Sequence, residues 1–261
     1  MPSGVELHSA VYGSDGPPLV VLHGLFGMGD NWATLARHWS SQYTVHTLDL
    51  RNHGQSPWDS EHSYAAMAED LRLYLDRHHL IKAHLLGHSM GGKAAQWFAC
   101  TYPERTASLI CVDMAPRAYP PHHQEIFDAL LAVDFSIASS RSDVERQLLP
   151  YVPHPGMRQF LLKNVGRPTP TTLGWKFNLQ VLLHHYAEIT WALPNEFAYN
   201  GPTLFVRGGL SGYIGADDLP ELQQHFPKAQ LKTVPNAGHW VHAEKPDELS
   251  EYLIHFWDSA V

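Results

Sequence analysis

The sequence predicts an α/β protein: a mostly parallel central sheet with helices on both faces and an inserted helical cap. Three observations predict it. First, apolar runs without polar alternation recur, as in Leu19-Val20-Val21-Leu22, Ser108-Leu109-Ile110-Cys111-Val112 and Thr203-Leu204-Phe205-Val206. Such runs mark strands buried on both faces, the habit of parallel sheets. Second, helical patterns separate these runs, as strand–helix–strand units require. Third, the strand rhythm stops near residue 117 and resumes near residue 199. The expected division is therefore a core of residues 1–116 and 199–261, with the cap at 117–198.

Each element has a local reason. Residues 5–12 alternate roughly apolar and polar, as an edge strand does, and residues 13–18 carry turn chemistry. Asp30 is the expected N-cap of a helix with Trp32, Leu35 and Trp39 on one face. Residues 43–50 form the next strand. The polar turn Arg51-Asn52-His53-Gly54-Gln55-Ser56 follows, where Asp49 and Arg51 read as loop-bracing groups. Met67, Leu71, Tyr74, Leu75 and His78 keep helical spacing. Ala83-His84-Leu85-Leu86 is a buried strand, and Gly92-Lys93-Ala94-Ala95-Gln96-Trp97-Phe98-Ala99 a helix. Ile126, Phe127, Leu130 and Leu131 give the cap its first helical pattern. Residues 230–234 make the last strand, and Pro246 opens a closing helix with Leu249, Leu253 and Phe256 facing the core.

Between that buried strand and its helix stands Gly87-His88-Ser89-Met90-Gly91. G-x-S-x-G at such a junction forces a sharp turn that lifts the serine hydroxyl above the sheet. Side chains at 87 and 91 would collide where strand and helix pass, so both positions are reduced to hydrogen. The Met90 N–H is left at the helix start, free to bind developing negative charge. After the strand at 19–22, His23-Gly24-Leu25-Phe26-Gly27 offers a second donor, assigned to Leu25 N–H with Phe26 beside it. Serine at its free pKa is a weak nucleophile and needs a base. His239 is that base, in the Gly-containing loop after the last strand, with His242 the competitor further along. The imidazole in turn needs a carboxylate. Asp113, at the end of the strand at 108–112, is taken as the acid, with Asp217 and Asp218 as alternatives. Ser211 stands where an acid commonly follows the strand at 203–206, and either hydrogen-bonds the acid or caps the next helix. Substrate contacts are expected from Phe26, His88 and Trp240. The cap aromatics Phe160, Trp175 and Tyr186, with Phe177 and Trp191, either line an acyl pocket or pack the cap on the core.

Composition narrows the partners. The chain of 261 residues has 18 basic and 26 acidic residues and a net charge of −8, with no Lys/Arg run. Nucleic acid and anionic membranes are therefore unexpected partners. No apolar stretch is long enough to span a bilayer. The start, Met1-Pro2-Ser3-Gly4-Val5-Glu6, lacks a basic segment and an apolar core, so the expected location is cytoplasmic. Cys100 and Cys111 read as small buried thiols rather than a disulfide. The 19 histidines invite a metal, but the pairs His78-His79, His122-His123 and His184-His185 are adjacent, and no metal-ligand spacing occurs. Neither metal nor cofactor is expected.

Elbow, HG-x-x-G loop, late histidine and cap insertion together resemble the α/β-hydrolase family over essentially the whole chain. Within it, His23-Gly24-Leu25-Phe26-Gly27, Asp30-Asn31, Arg51-Asn52-His53-Gly54, Gly87-His88-Ser89-Met90-Gly91-Gly92-Lys93 and Gly238-His239-Trp240-Val241-His242-Ala243-Glu244-Lys245-Pro246 resemble the YbfF-like esterases. Asp113-Met114-Ala115-Pro116 and Arg207-Gly208-Gly209-Leu210-Ser211 are similar to that group as well. The resemblance implies an acid after the earlier strand, which favours Asp113. It also implies hydrolysis of short- to medium-chain acyl esters, with acyl-CoA thioesters as a variant. The rival readings on the same fold are a C–C bond hydrolase of vinylogous diketones, a cofactor-free perhydrolase and a non-catalytic ligand receptor. Haloalkane and epoxide chemistry is disfavoured, since those relatives carry Asp where this chain has Ser89.

Overall fold

In the computed structural model, which describes residues 3–260, Leu19, Val20, Val21 and Leu22 are buried. They lie in β2 (Pro18–Leu22), inside a seven-stranded sheet. Its other strands are β1 (Ser9–Tyr12), β3 (Thr44–Leu48), β4 (Ala83–His88), β5 (Thr106–Val112), β8 (Thr203–Gly208) and β9 (Ala229–Val234). A separate ribbon pairs β6 (Val165–Gly166) with β7 (Gly174–Trp175). The sheet order is β1-β3-β2-β4-β5-β8-β9, and every pairing is parallel except β1 on β3. The antiparallel edge strand and the apolar inner strands follow the sequence patterns. Met1, Pro2 and Val261, which the opening-stretch and core expectations include, lie outside the described residues.

Alternation along the inner strands divides the core in two. Leu19, Val21, Leu86, Ile110, Val112, Leu204 and Val206 face one side. There they pack with α1 (Ala33–Trp39) and α11 (Pro246–Ala260). Val20, Leu22, Leu85, Leu109, Cys111 and Phe205 face the other. That side packs α2 (Tyr64–Arg77), α3 (Met90–Thr101) and α9 (Leu219–His225). Cys100 is half-buried and Cys111 buried, both as free thiols. One expectation fails at α1. Asp30 is not its N-cap but sits inside a 3-10 turn, Gly29–Trp32, that precedes it. The Asn31 side chain accepts the Met28 N–H at 2.8 Å at the start of that turn, and Trp32 stands at the N-cap position of α1.

Between β5 and β8 the chain makes α4 (Gln124–Leu131), α5 (Arg141–Leu148), α6 (Pro155–Leu162), the β6–β7 ribbon, α7 (Leu179–His184) and α8 (Tyr186–Ile189). This excursion has no core of its own. Phe127, Leu130, Val144, Leu161, Phe177 and Leu182 belong to the same buried cluster as the α2–α3 face of the sheet. Its roots are tied to the elbow helix by Lys93, a fully buried residue of α3. Its Nζ donates at 2.8 Å to the carbonyls of both Arg117 and Trp191 and lies 4.9 Å from the Tyr119 ring centre. Burial pulls this ammonium down to about 7.

A buried ion pair braces the loop after β3. Arg51 Nε and Nη2 donate to Asp70 at 2.6 and 2.7 Å, and both side chains are wholly buried. Asp49 accepts the Gly29 and Gln55 N–H groups at 2.7 and 2.8 Å. A Cβ on Gly54 (φ +59°) would lie 2.1 Å from that carboxylate, so the position is closed to any side chain. Because the sheet is parallel, the loops after β2, β4, β5, β8 and β9 emerge at one edge, the carboxyl ends of the strands.

Candidate active site

Ser89 sits between β4 and α3 with φ 54° and ψ −123°. This is left-handed backbone that a non-glycine residue holds only under constraint, at a cost of roughly 1–3 kcal/mol. The glycines around it show the constraint. A Cβ on Gly87 would lie 2.2 Å from the Gly91 carbonyl oxygen, and one on Gly91 2.4 Å from that of His23. The Ser89 N–H is held by the Val112 carbonyl at 3.1 Å. Met90 is the first residue of α3.

The loop after β2 faces this turn. A Cβ on Gly24 would come within 3.1 Å of Ser89 Cβ. Phe26 is also left-handed, at φ 61°. Its N–H donates to His53 Nε2 at 3.3 Å, and its carbonyl accepts Asn164 Nδ2 at 2.7 Å. Phe26 N–H is thus engaged. Among the described residues the Leu25 and Met90 N–H groups have no protein acceptor. The histidines behind the loop are neutral. His23 Nδ1 donates to the Gly24 carbonyl at 2.8 Å, and its Nε2 accepts the Leu50 N–H at 3.0 Å. His53 Nδ1 donates to the Arg51 carbonyl at 2.9 Å. Burial pushes their pKa values down to about 4 and about 3.

On the other side stands the pair Asp113–His239. Asp113 follows β5 directly, fully buried, with φ 53°. One carboxylate oxygen accepts the Gly208 N–H at 3.1 Å, and the other lies 2.8 Å from His239 Nδ1 and also accepts the Ser211 hydroxyl. Of the two alternatives left open for Ser211, the hydrogen bond to Asp113 is the one observed. Asp218 is committed elsewhere, to Arg117 at 2.7 Å. The His239 ring stacks on Tyr213, with centroids 4.0 Å apart and 16° between planes. Its loop is fixed by His88, whose Nε2 donates to the His239 carbonyl at 2.8 Å. Burial holds the His88 ring well below its ordinary range. His242 instead stacks on Trp32 at 4.4 Å.

Two cavities meet at Ser89. The larger, about 270 Å³, is lined by Phe26, His88, Phe160, His239, Trp240 and His242 among others. The smaller, about 30 Å³, is lined by Tyr64, Met90, Met114, Tyr186 and Ile189 among others. Both touch Leu25, Ser89, His122, His123 and Tyr213. Phe26, His88, Phe160, Tyr186 and Trp240 are therefore brought to the cavities. Trp175 is not. Its ring stacks on Phe177 at 5.3 Å and its indole N–H donates to the Leu130 carbonyl at 3.3 Å, so it packs the excursion internally. Phe177 is likewise buried and Trp191 is exposed.

The sequence shows His122-His123 only as an adjacent pair, and gives neither residue, nor Tyr213, a place in the site. The Tyr186 hydroxyl accepts the N–H groups of both histidines at 2.9 Å and lies 2.8 Å from His123 Nδ1. Tyr213 OH meets His122 Nε2. The two tyrosines hold this pair at the rim of the cavities, His122 exposed and His123 half-buried. Among the described residues no three His, Cys, Asp or Glu side chains are grouped to hold a metal. No helix among them is long and apolar enough to cross a membrane.

Comparison with known proteins matches this geometry to a family. The family model for the alpha/beta hydrolase fold matches residues 17–140. Esterase YbfF of Escherichia coli is 40% identical over 233 residues, 88% of this chain and 89% of the relative. The sn-1-specific diacylglycerol lipase ABHD11 of Mus musculus is 38% identical over 252 residues, 92% of this chain and 80% of the relative. A solved marine microorganism esterase superposes with a TM-score of 0.94 at 37% identity, covering 97% of this chain and all of that one. The chain is thus a member of the α/β-hydrolase family, in the group of YbfF-like esterases.

Proposed function

We propose that the chain is a serine esterase that cleaves short- to medium-chain acyl esters through Ser89, His239 and Asp113. The observation that carries this reading is the 2.8 Å approach of His239 Nδ1 to a buried carboxylate, in the cavity that also holds the strained Ser89. The esterase names of the relatives point the same way.

In this mechanism His239 takes the hydroxyl proton as Ser89 Oγ attacks the acyl carbonyl. The imidazolium formed is balanced by Asp113, which the Ser211 hydroxyl and the Gly208 N–H hold in place. The carbonyl oxygen becomes an oxyanion and is bound by the Leu25 and Met90 N–H groups. One such donor is worth about 3 kcal/mol of barrier. The carbon–oxygen bond breaks, and His239 returns its proton to the leaving alcohol. Water then attacks the acyl-enzyme with His239 as base and releases the acid. A thioester follows the same path with a thiol leaving. Residues 117–198 act as a cap that walls the reacting centre from bulk water. The reading assigns the enzyme to the cytoplasm, where thiols such as Cys100 and Cys111 stay reduced.

Fluorophosphonate labelling with p-nitrophenyl ester turnover tests this. Wild type is expected to label at Ser89 and to turn over. Ser89→Ala is expected to do neither, and retention of most turnover in that variant would end the proposal.

A further inference from the structure

The two cavities at Ser89 differ ninefold in volume, about 270 against about 30 Å³. They also differ in which catalytic groups they touch. The small one is lined by Met90 and Leu25 but not by His239, and the large one by His239 and Leu25. An ester bound at Ser89 must place its acyl chain on one side and its leaving group on the other. The leaving oxygen must lie beside the imidazole that protonates it as the carbon–oxygen bond breaks. The side that touches His239 is therefore the leaving-group side.

The large cavity is also open-ended. It shares Asn31, Phe160, Trp240 and His242 with an outer groove of about 600 Å³ that continues to Lys163 and His154. The small cavity is lined by Tyr64, Met114, Tyr186 and Ile189, all nearly buried. A water-sized group needs about 10–15 Å³. The small cavity therefore holds two or three such groups beyond the carbonyl.

From this we infer that the enzyme is selective for esters with a short acyl group, acetyl to butyryl, on a bulky leaving group. The inference rests on the esterase reading above and narrows it: chain-length tolerance belongs to the alcohol or thiol, not to the acid. Tyr64, Met114 and Ile189 are the residues that set the acyl limit.

Two substrate series on the wild-type enzyme test it. In p-nitrophenyl esters, kcat/KM is expected to fall at least tenfold from butyrate to octanoate. In acetates, ethyl to hexyl to decyl, it is expected to hold within threefold or rise. Ile189→Ala is expected to raise the octanoate-to-butyrate ratio at least fivefold. Octanoate matching butyrate, or decyl acetate falling tenfold below ethyl acetate, would overturn the assignment. Fluorophosphonate labelling of Ser89 separates the two levels of failure. Labelled, active enzyme with the wrong profile removes only the cavity assignment, whereas unlabelled, inactive enzyme removes the esterase reading and the assignment with it.

Discussion

Mild acid should destabilise this protein, and a lower bound on the effect can be worked from three histidines. His23, His46 and His53 are nearly or fully buried. Burial lowers their pKa values to about 4, about 4 and about 3. In the unfolded chain each titrates near 6.5. A histidine whose folded pKa is depressed lends its full stability above pH 6.5 and loses it as pH falls toward the folded value. Between pH 7.5 and 5.5 each one costs about 1.3 kcal/mol, and the three together about 4 kcal/mol. That is a large part of the 5–15 kcal/mol typical of a folded domain. His23 and His53 have ring centroids 5.0 Å apart, so charging one opposes charging the other and adds to the loss. Urea unfolding followed by tryptophan fluorescence at the two pH values measures the difference directly. His46 is the control, remote from Ser89, bonded through Nδ1 to Tyr74 OH at 2.8 Å and with its Nε2 unpartnered among the described residues. His46→Phe is expected to reduce the pH-dependent loss by about 1.3 kcal/mol. Equal urea stability at both pH values, or an unchanged loss in His46→Phe, would refute the reasoning.

Other perturbations separate roles within the site. Asp113→Asn is expected to lower kcat about 10³–10⁴-fold by presenting the wrong hydrogen-bond partner to His239, while Asp217→Asn stays within about twofold. Steady-state kinetics decides between them, and the reverse order would move the acid. Arg51→Leu leaves Asp70 buried and unpaired, and is expected to cost about 3–5 kcal/mol in urea titration. A loss below about 1 kcal/mol would mean that the carboxyl is protonated or hydrated in the variant. Asn164→Leu removes the donor that holds the Phe26 carbonyl, and is expected to lower kcat about ten- to hundredfold by loosening the Leu25 amide. The affinity for a boronic acid transition-state analogue should fall in step with KM nearly constant, whereas a rise in KM alone would assign Asn164 to substrate binding.

The parts of the molecule legible in sequence are those written over a few neighbouring residues. Buried strands read as unbroken apolar runs, and Gly87 and Gly91 announce the elbow because the clash they avoid lies within one turn. Asp113 is favoured as the acid by its place after a strand and by the resemblance that Asp113-Met114-Ala115-Pro116 carries. What stayed hidden depends on contacts far apart in the chain. Asn164 and Phe26 are 138 residues apart, yet one hydrogen bond joins them. His122, His123, Tyr186 and Tyr213 meet only through the fold of the excursion. Trp175 failed as a cavity residue because aromatic content says nothing about which way a ring turns. Asp30 failed as a cap because a 3-10 turn over Gly29–Trp32 precedes the helix and takes Asp30 inside it.

Lys93 has a use for anyone who would rebuild this scaffold. Its ammonium holds two carbonyls near the ends of the excursion, those of Arg117 and Trp191. Those two residues are natural seams for grafting. A segment exchanged between them would inherit a footing bolted to the helix that begins beside Ser89. A segment spliced inside either seam would lose one bolt and stand on a buried amine with half its acceptors. The cavity walls at Phe160 and Tyr186 lie between the seams and can be redesigned as a cassette.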